Sequence, residues 1–556
     1  MNIKTAVRIT LFLAIVFAFG MGSVLAQTVV PSQQELTPKQ TPTPLSLNLT
    51  DAFVEGQNLQ ALPSVSADEV AEADNMARQY FANVSLKPPR VGLVRAVRKI
   101  TLADAGGGRW LQLPNGGRLW TAAIRSPGAF GLRIHFKQFD VDDDTVLVYA
   151  RSGDRVIVRG SYTGNGPNHN NEFWTATLPG DTVFIELQSR GQKRPSIEID
   201  SVLHFDKPPY GFTPNDKARE SQPTNALSPQ ELSCHLDPKC QPPGSISLSA
   251  LDATGQMNFI KGGQGFVCSG TLLKDLDGDT TVPYFLTAYH CLNTQAEGNT
   301  LNVVFGYESA SCGGTVPNPS TLPFSLGGTL LQTNPTDGGN DMAFIRLNGI
   351  QQLPPGAPPI QFAEWSLANG LTNPSYGIHH PGGTFKRITF FEPSSYLLCP
   401  TIDSGDDGDY FLANATNGGI EGGSSGSGLF DFTGHLIGQL YGVCGPGISD
   451  KGNCFDEDGW RGVYGKFWVS YTIGGVGRWL EIGGTINVNG AYSGEELGTP
   501  SKPFRTITAA NNLINQSNWN GARIKIQAGC YPEQVTFSRP VTLLASGGTV
   551  TIGRCP

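Results

Sequence analysis

The chain has 556 residues and a formal net charge of −8, with only 15% of its residues charged. This length predicts three or more domains, and the 69 glycines and 39 prolines favour short strands and turns over helices. A mild negative charge without a basic block argues against nucleic acid as a partner.

The first 26 residues have the pattern of a secretory signal peptide. Lys4 and Arg8 supply the positive start, the apolar run 9–19 follows, and Val24-Leu25-Ala26 offers a cleavage site. This run is too short to cross a membrane, and the sequence has no second long apolar run. We therefore expect a secreted protein, extracellular or periplasmic, without a membrane span.

Four blocks follow the signal peptide. Residues 27–108 are predicted to be a disordered leader and a candidate pro-segment, because 27–50 are rich in Pro, Thr and Gln, while 66–82 could form one helix. Residues 109–205 alternate with period two in stretches such as LRIHFKQF, TVLVYA and TVFIEL, which is typical of a β-sandwich. A polar linker (206–232) separates this domain from a strand-rich block at 233–484 and a smaller block at 485–556. The fold class is predicted to be all-β.

Two acidic turns could be considered for Ca²⁺. They contain Asp140 with Asp142–Asp144, and Asp275 with Asp277 and Asp279. In the second turn the twelfth loop position is Leu286, where an EF-hand needs Glu. Solvated hairpin turns are therefore the favoured interpretation, and we expect neither a metal nor a cofactor.

The stretch EGGSSGSGLF at 421–430 raises the question of a nucleophilic serine. GGSSG fits a G-x-S-x-G elbow at Ser424, but that fold needs an acid and then a histidine after the serine. The one later histidine is His435, only eleven positions on, so the elbow is excluded. The opposite chain order, His then Asp then Ser, is the one used by double β-barrel proteases.

His290 and Asp341 are the best partners for such a serine. His290 ends the apolar strand YFLTAYHC, and Cys291 can be tied to Cys268 on the previous strand, which would hold the imidazole. Asp341 opens the alternating strand DMAFIRL, so that strand can anchor it in a cleft. The alternative acids are Asp337 and four in the hydrophilic turn DSGDDGD: Asp403, Asp406, Asp407 and Asp409.

TAYHC, NDMAFIRL and GGSSGSGLF resemble the three signature stretches of trypsin-like serine proteases. SCHLDPKC, CSGTLL, GIHHPGGTFKRI and LIGQLYG add a resemblance to the bacterial lysyl endopeptidase branch over about 234–484. The resemblance implies a two-barrel domain with Ser425 as nucleophile, His290 as general base and Asp341 orienting the imidazole. It also implies an oxyanion hole made by the backbone N–H groups of Gly423 and Ser425. His379 and His380 are assigned a structural loop role, without an evident chemical partner.

Two positions depart from that family pattern. Ser424 stands where trypsin has the Asp that captures an ammonium after activation, so a zymogen must be restrained by another route. Glycines, Gly419 and Gly462, stand at the places of the acidic residues that bind Lys or Arg. With Leu440, Tyr441 and Gly442 they predict an uncharged pocket that favours an apolar substrate side chain, unless Asp456, Glu457 or Asp458 folds in.

Ten cysteines in an exported chain predict disulfides rather than metal sites. The resemblance implies a Cys240–Cys312 bridge beside Cys268–Cys291. Cys234 would then pair with Cys444 or Cys454, and Cys399 would take whichever remains.

The C-terminal segment resembles the start of a right-handed parallel β-helix. Short strands such as RIKIQ and TVTIG would stack, with a helix near 504–515 as a cap and Cys530–Cys555 as a clip. This segment is predicted to be a binding or adhesive addition, with carbohydrate or surface contact as its use, and a pure spacer is the alternative.

Taken as a whole, the sequence predicts a secreted serine endopeptidase that acts on polypeptides through an acyl-enzyme. The alternative is a catalytically silent protease-fold protein that binds or adheres at the cell surface.

Overall fold

The computed structural model describes residues 42–103, 107–113, 116–153, 155–189, 194–208, 234–351, 360–394, 408–445, 453–454 and 460–555, with 453–454 as backbone only. The predicted signal peptide, most of the linker, Cys399 and the acidic residues 456–458 lie outside this part of the chain. Within the described residues, no helix is long and apolar enough to cross a bilayer.

The described residues of the N-terminal part form one α-helix and eleven strands. The helix, α1 (Ala67–Tyr80), begins at a capping box in which Ser66 and Glu69 satisfy each other's backbone N–H groups. The strands are β1 (Leu59–Ala61), β2 (Arg90–Thr101), β3 (Arg109–Gln112), β4 (Arg118–Arg125), β5 (Gly131–Asp140), β6 (Thr145–Ser152), β7 (Arg155–Tyr162), β8 (Phe173–Trp174), β9 (Leu178–Pro179), β10 (Thr182–Ser189) and β11 (Ser196–Phe205).

These strands form two sheets around one apolar core. The first has the order β1-β4-β10-β6-β7, with β3 beside β4. The second contains β2, β11, β5 and β8, and the buried side chains between the sheets include Trp120, Ile134, Phe136 and Val148. The alternating pattern of these strands places one face of each in this core.

The prediction of a disordered leader is wrong for residues 90–101, which form strand β2. Residues 90–101, assigned by sequence to a disordered stretch, pair with β11 over most of their length. The pattern was missed because β2 is buried on both faces at Val91–Leu93 and carries exposed charges further on, so it lacks a clean period of two.

The second part supplies sixteen strands and four short helices. The strands are β12 (Thr254–Lys261), β13 (Gln264–Leu273), β14 (Tyr284–Ala288), β15 (Asn302–Phe305), β16 (Phe324–Leu326), β17 (Gly328–Asn334), β18 (Met342–Leu347), β19 (Ile350–Gln351), β20 (Ser375–His379), β21 (Arg387–Pro393), β22 (Tyr410–Asn417), β23 (Gly419–Ile420), β24 (Gly428–Phe430), β25 (Leu436–Cys444), β26 (Asn453–Cys454) and β27 (Arg461–Lys466). The helices are α2 (Leu248–Ala253), α3 (Gln295–Thr300), α4 (Phe467–Thr472) and α5 (Val476–Ile482).

Strands β20, β21, β22, β27, β25 and β24 close into an antiparallel barrel. The earlier strands, β12 to β19, form the other sheet system, in which β13, β14 and β18 are successive neighbours. This sheet continues into the N-terminal part, because β2 pairs antiparallel with β13. The N-terminal region is therefore joined to the strand-rich block by main-chain hydrogen bonds.

The C-terminal segment consists of α6 (Ile507–Gln516) and three parallel strands, β28 (Thr485–Val488), β29 (Ala522–Tyr531) and β30 (Val541–Ile552). Apolar residues of α6 pack in the same cluster as those of β28 and β29. Whether these strands begin a β-helix stays a prediction.

Candidate active site

His290 and Asp341 form a buried pair that makes two hydrogen bonds. Asp341 Oδ2 accepts from His290 Nδ1 at 2.8 Å, and Oδ1 accepts from the backbone N–H of His290 at 3.0 Å. The Thr336 hydroxyl also donates to Oδ1 at 3.0 Å. An ionised carboxylate can only accept, so the ring proton lies on Nδ1 and Nε2 is left as the basic nitrogen.

Local structure places each member of this pair. His290 directly follows β14, and the disulfide Cys268–Cys291 ties the next residue to β13. Asp341 precedes β18 with φ +57°, a left-handed conformation that Asp tolerates better than most residues. Although both sulfurs and the His290 ring lie within 4.8 Å of one another, a disulfide has no thiolate to offer a metal ion.

Two hydrogen bonds from Ser269 hold the loop that contains Ser425. The backbone N–H of Ser269 donates to Ser425 O at 2.8 Å, and its hydroxyl donates to Gly423 O at 2.8 Å. Because Ser269 directly follows Cys268, one strand positions both the histidine and the serine loop. The sequence analysis missed this residue, although CSGTLL was among the stretches that carried the resemblance.

Hydrogen bonds to two carbonyl groups fix two peptide planes of the same loop. Gly422 O accepts from Gly382 N–H at 2.7 Å, and Ser424 O accepts from Ser427 N–H at 3.1 Å. The N–H and C=O of one peptide point in opposite directions, so the N–H groups of Gly423 and Ser425 face away from these contacts. Gly423 has φ +98°, and a Cβ there would lie 2.8 Å from His380 O, so only glycine fits.

His379 does have a chemical partner, contrary to the sequence analysis. Its Nδ1 lies 2.8 Å from Ser424 Oγ, and its Nε2 lies 3.1 Å from Thr389 Oγ1. Thr389 donates onward to Gly419 O, so it can only accept from the histidine, and His379 carries its proton on Nε2. Ser424 then donates to Nδ1 while accepting from Glu421 N–H at 3.3 Å. A neutral chain of hydrogen bonds thus supports the serine loop where trypsin uses an ion pair.

His379 belongs to a buried histidine cluster, which we define as His235, His379 and His380. Burial lowers the pKa of His379 and of His380 to about 3, and the nearby cations Arg387 and Lys386, respectively, act in the same direction. Burial also lowers the pKa of His235 well below its usual value. All three rings are therefore neutral at pH 7.

The predicted pocket positions lie on β23, β25 and β27 and carry no carboxylate of their own. Gly419 lies in β23, and Leu440, Tyr441 and Gly442 lie in β25. A Cβ on Gly462 would lie 2.8 Å from the Tyr464 ring and 3.2 Å from the Phe391 ring. The space that an acidic side chain would need is therefore filled by aromatic rings.

Ser425 is completely buried, and His290 is 7% exposed. What covers the serine is the N-terminal part of the chain, since Ser425 Oγ donates to Leu86 O at 3.3 Å. Within the described residues, His290 Nε2 makes no hydrogen bond. The base and the nucleophile are therefore not bonded to each other in this state.

Disulfides join Cys240 to Cys312, Cys268 to Cys291 and Cys530 to Cys555. Cys234 and Cys444 are also disulfide-bonded. The pairing among these two, Cys399 and Cys454 stays a prediction, because Cys399 and the Cys454 side chain lie outside the described residues.

The acidic turn at Asp275 uses its carboxylate for its own backbone. Asp275 Oδ1 accepts from Asp277 N–H at 3.0 Å, and Oδ2 accepts from Val282 N–H at 3.0 Å. Burial raises the pKa of Asp275 to about 7. This side chain therefore shapes the turn.

Comparisons with known proteins point to one family. The C-terminal domain of lysyl endopeptidase matches residues 230–455, and the lysyl endopeptidase N-terminal domain matches residues 61–206. A lysyl endopeptidase from Pseudomonas aeruginosa is 26% identical over 400 residues, which cover 68% of this chain and 79% of that protein.

Solved structures of proteases also match parts of the chain. The HtrA-type protease AlgW with a tripeptide is 16% identical, with a TM-score of 0.28, over 42% of this chain and 64% of its own, less than two thirds of its length. A scabies mite inactivated protease paralogue is 14% identical, with a TM-score of 0.27, over 41% of this chain and 96% of its own.

Proposed function

The chain belongs to the lysyl endopeptidase family of trypsin-like serine proteases, and on that basis we propose that it is a secreted endopeptidase with the triad His290, Asp341 and Ser425. The observation that carries this proposal is the doubly hydrogen-bonded His290–Asp341 pair beside the Ser425 loop. The predicted signal peptide and the disulfides support export.

The proposed reaction is acyl transfer to Ser425 and then to water. Ser425 Oγ attacks the substrate carbonyl carbon and gives its proton to His290 Nε2, which passes it to the departing amine. Water then releases the acyl group by the same route in reverse. Asp341 keeps the imidazole in the required tautomer and stabilises the imidazolium that forms.

Backbone groups are proposed to stabilise the negative charge on the substrate oxygen. The N–H groups of Gly423 and Ser425 are the donors, and the contacts of their neighbours to Gly382 and Ser427 support this orientation. Donors held in place before the reaction need no reorganisation while the charge develops.

The proposed specificity is for an uncharged side chain. Gly419 and Gly462 offer no carboxylate, and the rings beside Gly462 leave no space for one. Burying a substrate ammonium without a partner would cost several kcal/mol.

The test is covalent labelling by a fluorophosphonate probe. Because Ser425 is buried under Leu86, the chain is first nicked with thermolysin, a metalloprotease that the probe does not label and that EDTA then stops. We expect labelling and casein cleavage in the wild type and in the matched control Ser427→Ala. Ser425→Ala should lose both, with a fall on the order of 10⁴-fold or more in kcat. Labelling that persists in Ser425→Ala would contradict the proposed nucleophile.

The silent binding protein remains the second candidate, because the nucleophile is covered in this structure. A peptide library digested by the nicked protein separates the two. Reproducible cuts at one residue type, absent in Ser425→Ala, would exclude the binding protein, and an uncut library would favour it.

A further inference from the structure

Residues 81–89, which we name the cleft segment, run across the site between α1 and β2. Phe81 packs with its ring centroid 6.4 Å from that of His290, at an interplanar angle of 85°. Further along, Asn83 O accepts from the Tyr441 hydroxyl at 3.4 Å. The segment therefore passes the proposed base before it reaches the pocket strand β25.

At β25 the segment contacts the strand backbone through a side chain. The N–H of Val443 donates to Ser85 Oγ at 3.0 Å. A Cβ on Gly442 would lie 2.4 Å from Ser85 Oγ and 3.7 Å from Leu86 Cβ, so the missing side chain at Gly442 is what lets the segment approach. A backbone N–H of the pocket strand thus holds the segment through the Ser85 side chain.

Leu86 occupies the predicted pocket. Its side chain is completely buried and belongs to one apolar cluster with Ile420, Val443 and Tyr464. Leu440, which the sequence analysis assigned to the pocket, belongs to the same cluster, and Ile420 and Val443 are the chain neighbours of Gly419 and Gly442. A leucine side chain thus lies where a substrate side chain would bind.

The chain direction is also that of a substrate. Leu86 O lies 3.3 Å from Ser425 Oγ, and a Cβ on Gly422 would lie 2.5 Å from Lys87 O. Ser85 is therefore on the pocket side of the nucleophile, Leu86 is at it, and Lys87 is on the leaving side. The Leu86–Lys87 peptide bond holds the position of the bond to be cut.

We propose that the cleft segment is a built-in substrate mimic that closes the active site, with Leu86 marking the enzyme's preference for cutting after leucine-like residues. This inference rests on the proposed function, since it assigns the substrate class and the regulation of that same site. The cleft segment would also be the means by which a zymogen is kept inactive, since Ser424 stands where trypsin has the Asp that responds to activation.

Both ends of the segment are anchored, which explains why it blocks the site instead of leaving it. Pro89 O accepts from Val267 N–H at 3.2 Å. The neighbouring Arg90 is buried and forms ion pairs at 2.6 Å with Asp74 of α1 and with Asp206. A chain held on both sides of the bond keeps its leaving group in place.

The contact between Ser425 and Leu86 is a hydrogen bond that lacks the backbone N–H contacts proposed for the reaction. The serine hydroxyl donates to Leu86 O, and no hydrogen bond from Gly423 N–H or Ser425 N–H to that oxygen occurs in the described structure. The carbonyl is therefore engaged by the nucleophile's proton and not by the groups proposed to polarise it.

The test compares fluorophosphonate labelling of the intact, un-nicked chain in four forms, the wild type and three variants. Leu86→Asp places an unmatched charge in the apolar pocket and should release the segment, raising the labelling rate at least about tenfold over the wild type. Leu86→Met conserves volume and should stay closed. Met76→Asp, on an exposed part of α1, is the matched control and should label like the wild type. Hydrogen exchange of residues 81–89 is followed in every form.

A second arm does not depend on the variant's folding. A synthetic peptide of residues 81–89, FANVSLKPP, should inhibit the thermolysin-nicked enzyme, and the same peptide with aspartate in place of leucine should not. On chromogenic peptides, kcat/KM after leucine should exceed that after lysine by at least about tenfold.

The outcomes separate the two proposals. Equal labelling of wild type and Leu86→Asp, with no inhibition by the peptide, would overturn the mimic and leave the proposed function standing. If exchange at 81–89 rises in Leu86→Asp but no form is labelled, nicked or intact, the proposed function itself fails. A preference for lysine would overturn the assignment of leucine.

Discussion

Ser424→Ala tests the neutral network that supports the serine loop. The alanine removes an oxygen that donates to His379 Nδ1 at 2.8 Å and accepts from Glu421 N–H at 3.3 Å. His379 is completely buried, so its Nδ1 is left without a partner. An unsatisfied buried acceptor costs about 1–3 kcal/mol, which we expect as the loss in free energy of unfolding.

Ser424→Ala should also lower kcat, because Ser424 lies between the two residues proposed to bind the substrate oxygen. If about 1.4–2.7 kcal/mol of transition-state stabilisation depends on the loop position, kcat falls roughly 10- to 100-fold while KM changes little. Denaturant unfolding of the intact chain gives the stability, and peptide hydrolysis after nicking gives kcat and KM.

Ser427→Ala is the matched control for this measurement. Ser427 lies in the same loop and is equally buried, but its hydroxyl makes no hydrogen bond in the described structure. Its removal should leave stability and kcat unchanged or slightly improved. If Ser424→Ala and Ser427→Ala behave alike, the reasoning about the His379 network is wrong.

Three further predictions concern the triad, the pocket and pH. Asp341→Asn should lower kcat on the order of 10⁴-fold, because the amide favours the wrong tautomer of His290, and steady-state kinetics with a retained fold by circular dichroism would check this. Gly462→Asp should lower stability instead of creating lysine specificity, since its Cβ meets the Tyr464 ring at 2.8 Å; cleavage after lysine at a normal melting temperature would count against this. The buried histidine cluster has folded pKa values below the unfolded value of about 6.5, so the unfolded state binds more protons and stability falls as pH drops from about 6.5 toward 3. Asp275, with its pKa raised to about 7, acts in the opposite direction, so the measurement is the loss of unfolding free energy between pH 7 and 4.5, which should be smaller in His379→Gln than in the wild type.

The sequence by itself determined the features that depend on short stretches. Period-two alternation, glycine-rich turns and the cysteine next to His290 are local signals, and they identified the all-β class and the candidates His290 and Asp341. Ser425 was identified by the resemblance to trypsin-like proteases. The uncharged pocket stays a prediction, because it rests on Gly419 and Gly462 standing where the family pattern has acidic residues.

The cover over the site was decided only by the tertiary structure. Leu86 and Ser425 are 339 positions apart, and the contact between them leaves no periodicity in either stretch. The same holds for β2, whose sheet partners are remote and whose two buried faces conceal its alternation. His379 was visible as a residue but not as a partner of Ser424. A buried hydrogen bond depends on where the end of β20 and the serine loop meet in space, and that follows from barrel closure rather than from local propensity.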